Sequence, residues 1–167
     1  MNKVALLIGG NQGDRRALIE QATVLIQERI GTVVLASAIY ETEPWGDFEV
    51  ESGERRVESF FNRALVVETE LSAHETLHAA LDIEKELGRQ RNLSTPNPSL
   101  NTRKYHSRPM DIDLIFFNEE IIETPDLQIP HPRAHLRRFV LEPLAAIIPD
   151  YRHPVLGQTV AELLAAI

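Results

Sequence analysis

Apolar residues follow two different spacings along the chain, and these spacings predict strands and helices in turn. Val4 to Ile8 is a continuous apolar run ending at Gly9-Gly10, which is typical of a buried strand. Asp14 precedes a segment whose apolar residues recur at helical spacing from Leu18 to Ile30, so a capped helix is predicted there. The β-branched stretch Thr32 to Thr42 predicts a second strand.

The same patterns continue through the second half of the chain. Ser72-Ala-His-Glu75 matches a capping box, which predicts a helix that ends at Leu87, before Gly88. The other predicted elements are a strand antiparallel to the second one (Phe60 to Leu71), a strand (Asp111 to Phe117) with a short partner (Glu120 to Ile122), and two helices (Phe139 to Ile148, Val160 to Ala166).

The order of these elements predicts the fold class. A strand, a helix, two strands, a helix and a strand form the split β-α-β arrangement, and further helices follow. We therefore expect an α+β, ferredoxin-like three-layer sandwich, with a largely antiparallel sheet and helices on both faces. With no internal repeat or low-complexity linker, residues 1–167 are expected to form a single domain.

Composition limits the classes of function. No run approaches the roughly 20 apolar residues that span a bilayer, so no membrane partner is expected. The absence of cysteine excludes disulfides and thiolate metal sites, and a cytoplasmic location is the expectation. A net charge of −8 argues against nonspecific binding to nucleic acid.

Basic residues are concentrated in two stretches that contain no acid. Residues 88–110 contain Arg89, Arg91, Arg108 and two other basic residues, and residues 129–138 contain three arginines beside His131 and His135. Eight of the 17 basic residues therefore lie in two short segments of an acidic protein, which indicates a local site for an anion.

Asp111 and Asp113 are the strongest candidates for chemistry. Side chains alternate along a strand, so both carboxylates point to one face while Ile112, Leu114 and Phe116 point to the other. Two close carboxylates are stabilised by a cation, and Mg²⁺ prefers such oxygen ligands. A pair of solvated aspartates at the start of a strand is the alternative.

The surrounding candidates each have two interpretations. The arginines of residues 89–108 belong either to a loop that closes over a metal-bound phosphate or to a solvated loop. His131 and Arg137 could meet phosphates or ribose, and zinc binding by His131 and His135 is disfavoured because a third ligand is missing. Glu84, on the apolar side of its helix, is either a site residue or a surface carboxylate. Gly9 to Gly13 is expected to be a tight turn.

Several segments together resemble the 6-hydroxymethyl-7,8-dihydropterin pyrophosphokinase family. The segments that carry the resemblance are Ile8-Gly-Gly-Asn11, Tyr40-Glu-Thr-Glu-Pro-Trp-Gly46, Phe61-Asn62, Glu84 with Gly88-Arg-Gln-Arg91, Ser107-Arg-Pro-Met-Asp-Ile-Asp113-Leu-Ile-Phe-Phe117, and Ile129-Pro-His-Pro-Arg133 with Arg138-Phe-Val-Leu141. The resemblance implies transfer of the pyrophosphoryl group of ATP to the pterin hydroxymethyl oxygen, with release of AMP, in folate biosynthesis. It also implies a monomer that acts on small molecules.

The resemblance also implies roles for individual residues. Asp111 and Asp113 would bind two Mg²⁺ ions, with ATP as co-substrate. The residues implied for catalysis are Arg89, Arg91, Arg108, Asp111 and Asp113; those for ATP are Glu84, Arg91, Arg108, His131 and Arg137; and those for the pterin are Thr42, Pro44, Trp45, Phe60, Asn62, Asp111 and Phe139.

Two other functions remain open from the residues alone. A metal-dependent phosphohydrolase could use the same carboxylates to activate water. A noncatalytic nucleotide-binding module would use the fold without chemistry. Products formed from ATP with and without the pterin would separate these alternatives.

Overall fold

A five-stranded antiparallel sheet separates two layers of helices in the computed structural model, which describes residues 1–42, 59–91 and 110–167, with backbone only for 89–91. The strands are β1 (Asn2–Gly10), β2 (Thr32–Ala36), β3 (Tyr40–Thr42), β4 (Phe60–Thr69), β5 (Asp111–Phe117), β6 (Ile122–Thr124) and β7 (Leu127–Ile129). The helices are α1 (Arg15–Arg29), α2 (Ala73–Arg91), a 3-10 helix (Ala134–Leu136), α3 (Arg138–Ile147) and α4 (Val160–Ala165).

The sheet order is β2-β4-β1-β5, and β3 pairs with the first residues of β4. Each neighbouring pair is antiparallel. Strand β4 thus lies between β1 and β2, and β1 lies between β4 and β5, so both split β-α-β units are present. The predicted ferredoxin-like fold class is confirmed.

Each face of the sheet has its own apolar core. On one face, α1 and α2 cover Val4, Leu6 and Ile8 of β1. On the other face, α3 and α4 cover Ala5 and Leu7. This division follows from the alternation of side chains along β1, and it produces the predicted three layers.

The predicted starts of α1 and α2 are correct. The Asp14 carboxylate accepts a hydrogen bond from the Ala17 amide at 3.1 Å and caps α1. At α2, Ser72 Oγ accepts from the Glu75 amide while the Glu75 carboxylate accepts from the Ser72 amide. In each case a side chain satisfies a backbone N–H that the first helical turn leaves unpaired.

Three predicted boundaries are wrong. Strand β1 continues through Gly10, so the turn predicted for Gly9 to Gly13 begins only after Gly10. The single strand predicted for Thr32 to Thr42 is two strands, because the regular ladder ends after Ala36, where Ser37 Oγ accepts from the Ala64 amide at 2.9 Å. Helix α2 continues past Gly88 to Arg91, since one glycine costs only about 1 kcal/mol in a helix.

The pairing of the short strand after β5 was also predicted wrongly. Strand β6 pairs with β7 in a separate two-stranded sheet, not with β5. Leu127 and Ile129 of β7 are buried in the core on the α2 side, so burial of these side chains fixes the hairpin beside the helix. None of the helices in the described segments combines the length and hydropathy needed to cross a membrane.

A β-bulge in β5 changes which residues face which layer. Leu6 pairs with Leu114 and Ala5 pairs with Phe116, so Ile115 is an extra residue in the ladder. Ile112 and Leu114 share the face toward α1 and α2, away from the aspartates as predicted, but Phe116 packs on the α3 side. The predicted common face for these three residues is therefore wrong at Phe116.

Candidate active site

Asp111 and Asp113 lie side by side on the sheet face that α3 and α4 cover farther along. Asp111 pairs with Gly9 and Asp113 with Leu7, a residue of the core on the α3 side. Both aspartates are half-buried. They occupy the first and third positions of β5, before the bulge, so the predicted alternation holds for them. Their two carboxylates thus share one face at the end of the sheet.

Glu84 of α2 contacts the same strand. Its Oε2 accepts a hydrogen bond of 2.6 Å from the amide of Ile112, the residue between the two aspartates. Among the described strands β5 pairs with β1 alone, so a side-chain acceptor on its outer edge satisfies a backbone donor. The carboxylate therefore fixes the backbone that carries both aspartates.

Asn62 lies on the same sheet face, two strands away from Asp111. Both residues pair with Gly9, from β4 and β5 respectively, so their α-carbons are separated by about 10 Å. The Asn62 side chain is buried at 4% exposure and its Nδ2 donates to Thr42 Oγ1 at 3.3 Å. A Cβ atom on Gly9 would lie 2.3 Å from Asn62 Oδ1. Glycine is therefore required at position 9, because the side-chain amide of Asn62 lies over β1 there.

Two phenylalanines border this region. Phe60, the first residue of β4, pairs with Thr42 and is half-buried. Phe139, in the first turn of α3, packs partly buried against the core on that side, and α3 contacts β3 and β4. The guanidinium of Arg137 lies 5.6 Å from the Phe139 ring centroid, within the range of a cation–π contact.

His131 is connected to β5 through its backbone. Its amide donates to the carbonyl of Ile115, the bulged residue, at 3.0 Å. Its Nδ1 accepts from the Arg133 amide at 3.3 Å. Burial lowers the pKa of the His131 ring, and the positive charges of Arg137 and Arg133 lower that pKa further. A neutral imidazole beside two cations forms a local environment that favours the binding of an anion.

The remaining predicted site residues are only partly covered. Arg89 and Arg91 lie in the last turn of α2, where only the backbone is described. Pro44, Trp45 and Arg108 lie outside the described residues. Within the described segments no three histidine or carboxylate side chains gather as a metal site. Two carboxylates still suit Mg²⁺, which takes its other ligands from water and phosphate.

Comparison with known proteins decides the family. The family model for 7,8-dihydro-6-hydroxymethylpterin-pyrophosphokinase matches residues 5–149. The chain belongs to this family. It is therefore an ATP-using pyrophosphokinase that acts on hydroxymethyldihydropterin in folate synthesis, and the predicted enzyme class is confirmed.

Individual relatives agree with this assignment. The 2-amino-4-hydroxy-6-hydroxymethyldihydropteridine pyrophosphokinase of Porphyromonas gingivalis is 36% identical over 152 residues, which cover 90% of this chain and 93% of that protein. The enzyme of the same name from Bacillus subtilis is 38% identical over 149 residues, which cover 88% and 79%. The phosphohydrolase and the regulatory module are thereby disfavoured.

Solved structures of similar fold are larger proteins. A Plasmodium falciparum HPPK-DHPS structure superposes with a TM-score of 0.72 at 17% identity, and an HPPK-DHPS complex with substrates superposes at 0.70 and 19%. The match covers 99% of this chain but 43–45% of those chains, so the pyrophosphokinase fold corresponds to one part of them.

Two residues near the site escaped the sequence analysis. The predicted turn begins at Gly9, but Gly9 lies in β1 beneath Asn62. The sequence patterns predict no role for Arg15, although it is a cation at the start of a helix, where the helix dipole favours acids. This unfavourable position is the signal in the sequence that points to a role for Arg15.

Proposed function

We propose that this pyrophosphokinase binds two Mg²⁺ ions at Asp111 and Asp113, which hold the phosphates of ATP against the pterin. The observation that carries the proposal is the shared face of these two half-buried carboxylates, which is also the face of Asn62, on the strand to which the His131 segment is bonded. Bound magnesium would neutralise phosphate charge and align the transferred group with the acceptor oxygen.

The protein residues would position the two substrates. On the acceptor side, Asn62 presents an amide held by Thr42, which suits the hydrogen-bonding edge of a pterin. Phe60 and Phe139 offer apolar rings for its faces. The other residues proposed for the pterin are Pro44, Trp45 and Asp111.

On the donor side, cations would surround the triphosphate. Arg137 and His131 lie in the segment tied to β5 at Ile115. Guanidinium groups suit phosphate because they stay charged and bind two oxygens at once. Glu84, Arg89, Arg91 and Arg108 complete the proposed ATP-binding and catalytic set. Positioning and charge stabilisation account for most of the catalysis of phosphoryl transfer, so no general base is required here.

Asp113→Asn tests the metal assignment. The substitution keeps the shape of the side chain but removes a charged ligand, so AMP formation should fall by at least about 100-fold. The assay uses ATP, Mg²⁺ and hydroxymethyldihydropterin, with thermal melting to verify the fold. Titration with Mg²⁺ should show two binding phases in the parent enzyme.

Asp150→Asn is the matched control, because Asp150 is an exposed aspartate on the α3–α4 connection. It should behave as the parent enzyme. Near-normal turnover of Asp113→Asn would contradict the metal assignment. AMP formed without the pterin would contradict the proposed coupling of the two substrates.

A further inference from the structure

The first residues of β4 have two different faces. Side chains alternate along β3 and β4, so Phe60 and Asn62 face the proposed pterin site, while Phe61 faces α1. Glu41 pairs with Phe61 and shares its face. The orientation of the proposed pterin-binding residues therefore depends on how this strand is held from the α1 side.

Arg15, the first residue of α1, holds the strand from that side. Its Nη1 donates to the carbonyl oxygen of Ser59 at 2.8 Å and to Ser59 Oγ at 3.0 Å. Its Cζ lies 4.3 Å from the centroid of the Phe61 ring. Ser59 Oγ in turn donates to Glu41 Oε2 at 2.5 Å. We call Arg15, Ser59, Phe61 and Glu41 the arginine clamp.

The chemistry of the clamp is specific to arginine. A planar guanidinium can cover an aromatic ring with its face while its edge donates hydrogen bonds, whereas a lysine ammonium cannot do both. The first turn of a helix disfavours a cation, so the contacts with Ser59 and Phe61 offset that local cost. The clamp connects the start of α1 to both strands that carry Thr42, Phe60 and Asn62.

We propose that Arg15 is a positioning residue for the pterin. It fixes the backbone of residues 59–61 so that Phe60 and Asn62, on the opposite face, are held in the orientation that binds the acceptor. This inference rests on the proposed pterin-binding role of Asn62. It predicts a selective effect on one substrate, because the arginine clamp holds β3 and β4, whereas Asp111 and Asp113 lie on β5.

Arg15→Met tests the proposal. It keeps much of the apolar stem but removes the hydrogen bonds and the cation, so the KM for the pterin should rise about 3- to 10-fold. The KM for ATP should change by less than about twofold, since the donor side is untouched. Arg15→Lys should give an intermediate pterin KM, because it restores the charge without the planar fork.

Arg16→Met is the matched control. Arg16 is the next residue of α1, it is exposed, and its Cζ lies farther from the Phe61 ring, at 5.8 Å. The substitution removes the same charge from the same helix end, and both KM values should match those of the parent enzyme. A pterin KM raised equally by both variants would assign the effect to net charge and overturn the proposal.

The Asn62→Ala variant distinguishes a failure of the proposed Arg15 role from a failure of the proposed pterin site. If Asn62→Ala raises the pterin KM and Arg15→Met does not, the positioning role is wrong and the site stands. If Asn62→Ala has no effect, the pterin assignment itself is wrong. A parallel rise in both KM values together with a lower melting temperature in Arg15→Met would reduce Arg15 to a structural residue. Should Arg15→Met fail to fold, the pterin KM of Arg15→Lys decides.

Discussion

His131 combines a fixed backbone with a ring whose charge can change near neutral pH. Burial and two arginines lower its pKa below the ordinary value of 6.5, so the ring is neutral at pH 7 in the free protein. A phosphate beside the ring would favour the protonated form and raise the pKa again. If His131 meets the triphosphate as proposed, binding of ATP takes up a proton.

The sign of this linkage gives a pH prediction. The complex holds more protons at His131 than the free protein does, so ATP affinity should increase as the pH falls from about 7.5 toward 6. Calorimetric titration with Mg-ATP in buffers of different ionisation enthalpy measures the proton uptake. His131→Asn should lose the part of that uptake that belongs to the imidazole.

The protonation of ATP itself contributes equally with the parent enzyme and with His131→Asn. The difference in proton uptake between these two proteins therefore reports the contribution of the His131 ring. Equal proton uptake by the parent enzyme and His131→Asn, at every pH, would show that the ring does not face the phosphates. A loss of affinity without a change in uptake would assign His131 a steric role instead.

Among the secondary-structure elements, two close approaches depend on glycine. Gly9 in β1 lies beneath the Asn62 side chain of β4, where an added Cβ would also lie 2.5 Å from the Phe61 carbonyl oxygen. Gly31 lies between α1 and β2, where a Cβ would lie 2.0 Å from the Glu68 carbonyl oxygen. Both glycines therefore set the distance between neighbouring elements, but only Gly9 lies in the proposed site.

Gly9→Ala and Gly31→Ala form a matched pair of substitutions. Each forces a backbone shift, so each should lower the free energy of unfolding by about 1–3 kcal/mol in denaturant titrations. Gly9→Ala should also raise the KM for the pterin, because the new methyl group displaces the Asn62 amide. An unchanged pterin KM in Gly9→Ala, or an equal rise in Gly31→Ala, would contradict the role of this contact.

Local sequence patterns predicted the elements well and their interruptions poorly. Alternation in β5 correctly placed Asp111 and Asp113 on one face, because two residues suffice to set that relation. It failed at Phe116, since a bulge depends on the partner strand and leaves no local signature. Likewise the break at Ser37 depends on a hydrogen bond with Ala64, which is remote in sequence.

The candidate site shows the same limit. Carboxylates and clustered cations stood out in the sequence because their charge is unusual in its context. Gly9 and Arg15 matter through contacts with residues more than 40 positions away, such as Asn62 and Ser59. Those contacts require the strand order and register, which a single sequence does not specify.

At the scale of the whole molecule, the antiparallel order gathers the proposed site at one end of the sheet. Neighbouring strands run in opposite directions, so the end of β1 meets the starts of β4 and β5. The end of β3 joins them through its pairing with Phe60 and Asn62. Residues from four distant segments thus meet at this end of the sheet. The basic stretch at 129–138 is connected to the same strand, within a chain of net charge −8.

The bulge at Ile115 has a consequence for variation in chain length. On either side of it, β5 already pairs with β1 as an unbulged strand would, since Leu114 faces Leu6 and Phe116 faces Ala5. Deleting Ile115 should therefore leave the ladder and Asp111 in register. It removes the carbonyl that accepts from the His131 amide, and one buried side chain.

Such a deletion variant should keep its sheet with reduced stability, and its KM for ATP should rise more than its KM for the pterin. Circular dichroism and steady-state kinetics measure these effects, and an unchanged KM for ATP would count against them. Loss of a single residue, which a surface loop would tolerate, would here uncouple the histidine segment from the strand that carries the aspartates.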